Sequence, residues 1–330
     1  MKKLLIAFAL STLLCGPSAA GVTFTFNYTD APGVGFNDAA NGAARQAALS
    51  LAGQNFATAF SGYNANIVMD VDGSASGSTL ASAGSNSGSL VGTGFGLNEV
   101  IRNKVLSNGA SDINAGAADG VVNVNWGIDW QLDQNATPNA MANQFDWFST
   151  MYHEFAHAFG FSSGIVTDSA GMNPTDVFSQ TVDGSWNKFD EFLVDKNDTS
   201  VFTGTSLDTA TYSSLVTGGP SPAGGLFFKG PNTSSIGIYT PTTFEEGSSG
   251  SHLDDQNPAL AGVMMLAATG PGPSARTFSE AERNIFRDIG YNMVGQITAI
   301  PEPSAFLFVG FGFMMLFSKR IMAKFGRRKV

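Results

Sequence analysis

The sequence predicts an α+β fold, and three observations lead to it. Residues 22–28 alternate bulky with small or polar side chains, which is the period of a half-buried strand. Residues 143–159 repeat apolar side chains at intervals of three and four, which is the period of a helix. Residues 161–250 are rich in Gly, Pro, Ser and Thr and carry only short strand-like pieces. With no internal repeat, residues 21–300 are expected to form one domain whose irregular second half ends in a helix.

The first half contains two further strand candidates and one helix candidate. Residues 65–71 and 121–130 are predicted to form strands. Between the first two strands, the Ala-rich residues 39–60 are predicted to form a helix with Asp38 as its N-cap. Residues 73–96 consist mainly of Ser, Gly, Ala and Thr and are expected to form a flexible hairpin or loop.

Two helices have ends that the sequence predicts. Gly160 follows the periodic residues 143–159 and is a natural C-terminal stop. Ser279 and Glu282 have the spacing of a capping box, which opens the last helix. Between these helices, residues 189–194 have the pattern of a short strand.

The composition favours a folded protein and excludes nucleic acid as a partner. The chain of 330 residues is 43% apolar and only 13% charged, and its net charge is −10. Binding to phosphate backbones requires clustered Lys and Arg, which this balance does not supply. Eight of the 17 basic residues lie at the two ends of the chain, so the body between them is more acidic still.

The first 20 residues have the pattern of a secretory signal peptide. Lys2 and Lys3 precede an apolar run, and residues 18–20 supply the small side chains of a cleavage site. Cys15, the only cysteine, lies within this segment, so the mature chain is expected to contain no thiol. Cysteine nucleophiles and cysteine metal ligands are thereby excluded.

The C-terminal residues 301–330 combine three features of a sorting signal. Pro301-Glu302-Pro303 is followed by an apolar run over 305–317 and then by six basic residues. The combination resembles the PEP-CTERM signal of Gram-negative bacteria. The resemblance implies processing by an exosortase-type enzyme after transient association with the inner membrane, and a final location at the cell surface or outside the cell. An ordinary C-terminal membrane anchor is the alternative, although the run is shorter than the roughly 20 residues of a span.

The strongest chemical signal is His153-Glu154-Phe155-Ala156-His157, which lies on the helix predicted over 143–159. Residues four apart lie about 40° apart around a helix and about 6 Å along it, so both imidazoles can bind one zinc ion. Glu154 is rotated by about 100° from His153, which places it as a general base for a zinc-activated water. The alternative, two buried core histidines and a solvated glutamate, leaves the imidazoles without a partner.

A catalytic zinc ion needs a third protein ligand, and His252 is the only other histidine in the chain. The set of His153, Glu154, His157 and Gly160 resembles the extended helix motif of the metzincin zinc peptidases. In that family the glycine lets the chain turn sharply beneath the metal.

The position of the third histidine departs from the usual metzincin spacing. Position 163, where that histidine would fall, holds Ser163. Leishmanolysin-like members separate it from the helix by a long insertion, in a Gly-Ser-His context that His252 shares. Their methionine turn follows about a dozen residues later, and here Met264 and Met265 follow His252 by 12 and 13 residues.

The metzincin resemblance implies a fold and an activity. The fold is a twisted mixed sheet and an active-site helix in an upper subdomain of about 21–160, followed by a lower subdomain of about 161–295. The activity is zinc-dependent hydrolysis of polypeptides, with His153, His157 and His252 as the metal ligands. Glu154 is the catalytic base, and Gly160, Met264 and Met265 support the site.

Three alternatives stay open at this point. Glu191 lies 34 residues after His157 and precedes Asp195 by four, a spacing similar to that of thermolysin-like peptidases, in which a glutamate is the third ligand. A surface or matrix protein could keep a structural zinc ion, which leaves Glu154 without a catalytic role. A non-peptide amide could also be the substrate, because the site fixes the reaction better than the substrate.

A calcium site is a further candidate. Asp70 and Asp72 precede Gly73, and hard cations prefer carboxylate oxygens. A turn with solvated aspartates is the alternative.

Overall fold

The computed structural model describes residues 21–75, 77–88, 92–177 and 180–301. The predicted signal peptide with Cys15, and nearly all of the predicted sorting signal with its apolar run, lie outside the described residues. Within the described ranges, no helix is long and apolar enough to cross a membrane.

The described chain is a mixed α+β structure. Its helices are α1 (Gly42–Ala57), α2 (Val100–Leu106), α3 (Trp147–Ala158), α4 (Thr209–Val216) and α5 (Glu280–Asp288). The strands of the first half are β1 (Val22–Tyr28), β2 (Ala65–Ser74), β3 (Ala81–Ser85), β4 (Gly94–Phe95), β5 (Gly120–Asn125), β6 (Trp130–Gln131) and β7 (Phe145–Asp146). Those of the second half are β8 (Ile165–Val166), β9 (Thr175–Asp176), β10 (Ser185–Trp186), β11 (Leu193–Val194), β12 (Phe202–Thr203), β13 (Ser206–Leu207), β14 (Phe227–Phe228) and β15 (Ile236–Gly237).

The main sheet has the strand order β1-β2-β5-β3. The first three strands are parallel to one another, and β3 is antiparallel to β5. The prediction of a mixed sheet is therefore confirmed. Helices α1 and α3 pack together against this sheet, and aromatic side chains fill the space between them. Phe24 of β1 lies 5.0 Å from Phe155 of α3, and Phe56 of α1 lies 5.1 Å from Phe159, measured between ring centroids.

Two predicted strands are confirmed, and a third is shorter than predicted. Strand β1 has the predicted bounds, and β2 begins as predicted but continues to Ser74. The strand predicted over 121–130 is β5, which ends at Asn125 because the Asn125 side chain accepts from the Gly127 amide and a turn follows.

The prediction of a loop or flexible hairpin over 73–96 is wrong in two places, because the edge strand β3 and the two-residue strand β4 form within it. The side chains of β3 are all small, so the sequence offers no bulky alternation that would reveal a strand.

The predicted N-cap of α1 is wrong. The Asp38 carboxylate accepts hydrogen bonds from the amides of Ala40 and Asn41, so it closes the turn that precedes the helix. The helix itself begins at Gly42. A short 3-10 turn, Thr58–Phe60, then continues it to the predicted end.

Helix α3 begins later than predicted because its first residues belong to a strand. Phe145 pairs with Trp130, and Asp146 then caps the helix by accepting from the Ser149 amide. Arg276 forms an ion pair with Asp146 at 2.9 Å, which ties the start of α3 to the second half of the chain. The later start does not change which residues share a face of the helix, so residues 153–157 keep the relative positions that the sequence predicts.

The second half is irregular, as predicted, and is built from two-residue strands. The predicted capping box of α5 is confirmed, since the Ser279 side chain accepts from the Glu282 amide and Glu282 accepts from the Ser279 amide. Helix α5 returns to the core of the first half, where Phe286 lies 5.4 Å from Phe60 and 5.8 Å from Phe161.

The strand predicted over 189–194 is wrong for most of its length. Residues Lys188–Phe192 form a 3-10 turn, and only Leu193–Val194 is extended. The cause is a local capping box, in which Asn187 and Asp190 exchange side-chain and backbone hydrogen bonds. Asp190 also accepts from the Gly164 amide at 2.9 Å, so the turn holds the chain that leaves α3.

Asp190 predicts a pH dependence of stability. Burial raises the pKa of this carboxyl to about 7, so the folded chain binds a proton that the unfolded chain releases near its ordinary value of 3.8. The free energy of unfolding therefore falls as pH rises from about 4 to about 7, by at most about 1.4 kcal/mol per pH unit from this group. We expect Asp190→Asn to remove this contribution. Denaturant unfolding at pH 5 and pH 7 measures it, and an unchanged difference between the two pH values contradicts the assignment.

Candidate metal centre

Helix α3 directs two histidines into a cleft. The face of the helix that carries Phe148, Met151 and Phe155 is buried in the core. His153 and His157 are one turn apart on the opposite side, and their Nε2 atoms lie 3.0 Å from each other. The prediction that both imidazoles point to one place is therefore confirmed.

Gly160 ends the helix and positions the second histidine. Its φ of +101° is in the left-handed region, which favours glycine. The Gly160 amide bonds to the His157 carbonyl and the Phe161 amide to the Ala156 carbonyl, which is the Schellman pattern. This turn places the Phe161 carbonyl 2.7 Å from His157 Nδ1. The sharp turn expected at Gly160 is therefore present.

His252 reaches the same point from the second half of the chain. Its carbonyl accepts from the Tyr239 amide, and the Leu253 amide donates to the Met265 carbonyl. Its Nε2 atom lies 3.2 Å from that of His153 and 3.0 Å from that of His157. His252 as a whole residue is 6% exposed. The fold thus brings His252 to the two helix histidines, which precede it by 99 and 95 residues in the sequence.

The hydrogen bonds of the three rings define their tautomers. Each Nδ1 atom faces a backbone carbonyl, that of Met264 for His153, of Phe161 for His157 and of Ser248 for His252, at 2.7–2.9 Å. A carbonyl only accepts, so each Nδ1 carries the proton and each Nε2 presents a bare lone pair. Burial lowers the pKa of all three imidazoles, to about 3 for His252, so they are neutral.

Three lone pairs that face one another at this distance repel, and a cation between them could remove this repulsion. They cannot form hydrogen bonds with one another, because none of the Nε2 atoms carries a proton. A tetrahedral site with bonds of 2.0–2.1 Å has ligand-to-ligand edges of about 3.3–3.4 Å, close to the observed 3.0–3.2 Å. Neutral imidazole nitrogens are ligands of zinc and similar transition metals. The cluster therefore fits a metal ion.

The calcium candidate receives no such support. Among the described residues, the three histidines are the one set of three or more ligating side chains close enough to share an ion. Asp70 accepts a hydrogen bond from Asn27 at 3.0 Å, and Asp72 faces the Asn123 amide on the neighbouring strand. These carboxylates have partners within the sheet.

Glu191 does not join the cluster. It lies on the 3-10 turn, is exposed, and forms an ion pair with Lys188 on the same turn. The prediction that it is an alternative third ligand is wrong for this structure, because the turn that replaces the expected strand directs it into solvent.

Glu154 lines the cleft beside the histidines and does not ligate with them. Its side chain is 7% exposed, and Oε2 accepts a hydrogen bond of 3.0 Å from the Ala83 amide on β3. Burial raises the pKa of this carboxyl to about 8, and the bond from Ala83 opposes the shift. A carboxyl with a pKa near neutral pH can both accept and release a proton.

The two methionines have different places. Met264 lines the cleft, and its carbonyl holds the His153 ring. Met265 is fully buried and bonds through its carbonyl to the residue after His252. One oxygen of the buried Glu282 carboxylate accepts from the amides of both methionines, at 2.8 Å and 2.7 Å. Helix α5 thus anchors the segment that supports His153.

The cleft around the histidines has a volume of about 700 Å³. One wall is β3 with the residues just before it, and the other comprises residues 262–264, 266–269 and 273–275. The Leu80 carbonyl accepts from the Asn125 amide of β5, and backbone groups alternate in direction along an antiparallel strand. Ala81 and Ala83 therefore point their backbone groups away from β5, toward the cleft. The Ala83 amide donates to Glu154 there, and the Ala81 groups and the Ala83 carbonyl form the rest of this sheet edge.

Several contributors to the site were not foreseen from the sequence. The carbonyls that orient the rings and the Ala83 amide belong to the backbone, so no residue type marks them. The sequence predicted Glu282 as part of a capping box, but not its bonds to the methionine amides.

Comparison of the chain with protein-family models, with curated proteins and with solved structures finds no match.

The geometry predicts that His252 is a ligand and Glu191 is not. His252→Ala should weaken the binding of one Zn²⁺ per chain by more than about 100-fold, since loss of a group that merely hydrogen-bonds to a metal ligand already costs about 10–100-fold. Glu191→Ala is the matched control and should leave the affinity unchanged. Competition with a chromophoric chelator measures both, and equal affinities for the two variants would contradict the cluster.

A separate prediction concerns Glu282. In Glu282→Gln one end of the side chain must present an amide N–H to a backbone N–H, because both carboxylate oxygens accept from backbone amides. We expect a loss of about 1–3 kcal/mol in unfolding free energy and weaker zinc binding. The control is Glu280→Gln, an exposed position on the same helix, which should change stability by less than about 0.5 kcal/mol. A Glu282→Gln protein with unchanged stability would overturn the anchoring role.

Proposed function

We propose that the protein is an exported zinc-dependent endopeptidase. The observation that supports it most is the convergence of three bare Nε2 lone pairs next to Glu154 in an open cleft. Their separation of 3.0–3.2 Å suits one metal ion, and the described residues offer no thiolate that would favour a different ligand set.

The three imidazoles His153, His157 and His252 would hold the zinc ion. When bound, zinc supplies Lewis acidity, which polarises a carbonyl group and lowers the pKa of water to about 7. The backbone carbonyls on the Nδ1 atoms keep the rings in the orientation that ligation requires. Three protein ligands leave a position for water or substrate, which is typical of catalytic sites and differs from the four-ligand structural sites. This favours a peptidase over a surface or matrix protein with structural zinc.

Glu154 is the proton carrier of the proposed reaction. The Ala83 amide holds Oε2, so the carboxylate keeps its direction toward the cleft. It takes a proton from the attacking water as the new C–O bond forms. It then delivers a proton to the amide nitrogen as the C–N bond breaks, and the carboxyl returns to its starting state.

The open edge of β3 supports a polypeptide substrate over a small amide. An extended peptide can add to a free sheet edge through main-chain hydrogen bonds, as in other peptide-binding proteins. Ala81 and Ala83 lie at that edge on the same side as Glu154, and a volume of about 700 Å³ suits several residues of chain. The similarity of the motif to metzincin peptidases, of the leishmanolysin-like type, agrees with this proposal.

The ends of the chain supply the rest of the proposal. The signal-like residues 1–20 and the PEP-CTERM-like residues 301–330 support export across the inner membrane of a Gram-negative bacterium and processing by an exosortase-type enzyme. The strongly acidic body and the absence of cysteine after Cys15 are compatible with a protein outside the cytoplasm.

Replacement of Glu154 tests the proposed activity. Glu154→Gln keeps a side-chain oxygen for the Ala83 amide but cannot carry a proton, so we expect normal zinc content and a turnover lower by about 100-fold or more. Hydrolysis of a fluorogenic peptide pool measures the rate, and elemental analysis measures zinc. Glu191→Gln is the control for loss of one carboxylate and should keep full activity. Zinc-loaded wild-type protein that hydrolyses no peptide bond would refute the proposal.

A further inference from the structure

A second, smaller cavity opens beside His157. Its volume is about 120 Å³, roughly that of four water molecules at about 30 Å³ each. It shares Ala83, His157 and Ser162 with the main cleft, so the two spaces adjoin next to the histidine cluster. A chain that lies along β3 in the main cleft can therefore extend a side chain into this cavity.

Two residues that line this cavity each have a buried acceptor atom without a partner. Glu99 and Asn98 both line it and are 4% and 1% exposed. Glu99 Oε2 accepts from the Lys188 amide at 2.8 Å, and Asn98 Nδ2 donates to Ser185 at 2.7 Å. The remaining oxygens, Glu99 Oε1 and Asn98 Oδ1, form no hydrogen bond. Buried acceptors without a donor are unfavourable, so these two oxygens indicate a ligand that donates.

The missing side chain of Gly160 leaves space beside the unpaired carboxylate oxygen of Glu99. A Cβ atom on Gly160 would lie 2.8 Å from Glu99 Oε1, so the absence of a side chain there leaves room at that oxygen. Arg102 is the nearest cation, and its Nη1 atom lies 4.0 Å from the other oxygen, Oε2. Burial raises the pKa of Glu99, with the charge of Arg102 opposing it, and a second cation at Oε1 would favour the ionised form further.

The two unpaired acceptors and the lining residues indicate the class of ligand. An anion is disfavoured, because the lining contains a carboxylate and no lysine or arginine. A calcium ion requires six to eight oxygen ligands, whereas the cavity contains one carboxylate. An ammonium or guanidinium group donates several hydrogen bonds and carries the complementary charge.

We propose that this cavity is a subsite for a basic side chain of the polypeptide substrate, with its cationic group bound to Glu99 Oε1 and Asn98 Oδ1. The inference rests on the proposed function for the identity of the ligand as part of a peptide. It adds a specificity that the histidine cluster does not determine, namely a lysine or arginine at one fixed position relative to the metal centre.

A binding experiment tests the subsite independently of turnover. The probes are N-acetylated, C-amidated Ala/Ser octapeptides that carry Lys, Arg or norleucine at one position, moved along the peptide in successive members. Calorimetry at 0.15 M salt uses the full chain with Glu154→Gln, so the peptides are not consumed. At one position we expect Lys and Arg to bind at least 10-fold more tightly than norleucine, and at the other positions the ratio should be close to one.

Variants assign that preference to the cavity. Adding Glu99→Gln should reduce the ratio to about one, because the isosteric amide keeps the contact with Lys188 but loses the charge. Asn98→Ala is a second variant that leaves Glu99 in place and should reduce the ratio in part. Glu191→Gln removes an equal charge from the neighbouring turn and should leave the ratio unchanged.

The outcomes separate this inference from the proposed function. A ratio near one at every position overturns the subsite, even if the wild-type protein cleaves peptides. A preference that persists in the Glu99→Gln protein also overturns it, since the general acidic charge of the body then explains the effect. A preference that Glu99→Gln abolishes supports the subsite, even if zinc-loaded wild-type protein shows no hydrolysis and the proposed function fails.

Discussion

Three neutral imidazoles with bare nitrogens that face one another form the constraint on which the rest of the site depends. Such an arrangement is unfavourable in itself, because lone pairs repel and burial prevents protonation. The chain holds it with three backbone carbonyls that belong to three different segments. Each carbonyl fixes one Nδ1 proton, so the tautomers follow from the fold. A bound cation would turn the repulsion into ligation, which makes the fold itself the support of a metal site.

The three imidazoles can face one another only if the segments of the irregular half are held in place against the first half. Helix α3 is held by its aromatic face, which is buried in the main core. The segments that carry His252 and Met264 have only short strands, so they depend on specific contacts. Glu282 supplies one of these from helix α5, and Phe286 packs that helix onto the first half of the chain. The second half is thus held by a few specific contacts to the sheet and helix layer of the first half.

The parts of this arrangement that the sequence predicted are those with a local cause. The helical period placed His153, Glu154 and His157 together, and the capping pattern located α5. The bounds of β1 followed from simple alternation. His252 was found by elimination and by resemblance, because no local rule connects residues that are 95 positions apart. Strand β3 was missed because its small side chains show no alternation and its partner β5 is distant in sequence. The strand predicted over 189–194 failed for a different reason, since the local capping box of Asn187 and Asp190 forms a 3-10 turn there.

Gly160 shows how closely the metal centre and the adjoining cavity are connected. Its left-handed conformation brings the Phe161 carbonyl to the His157 ring, and its missing side chain leaves space at Glu99 Oε1. Any larger residue would disturb both at once, through backbone strain on one side and a contact of 2.8 Å on the other. Gly160 is therefore required for two independent reasons. Through it, the orientation of the His157 ring and the shape of the cavity beside Glu99 are linked. In the proposed peptidase, the geometry that orients His157 therefore also determines which side chains the cleft can accept beside it.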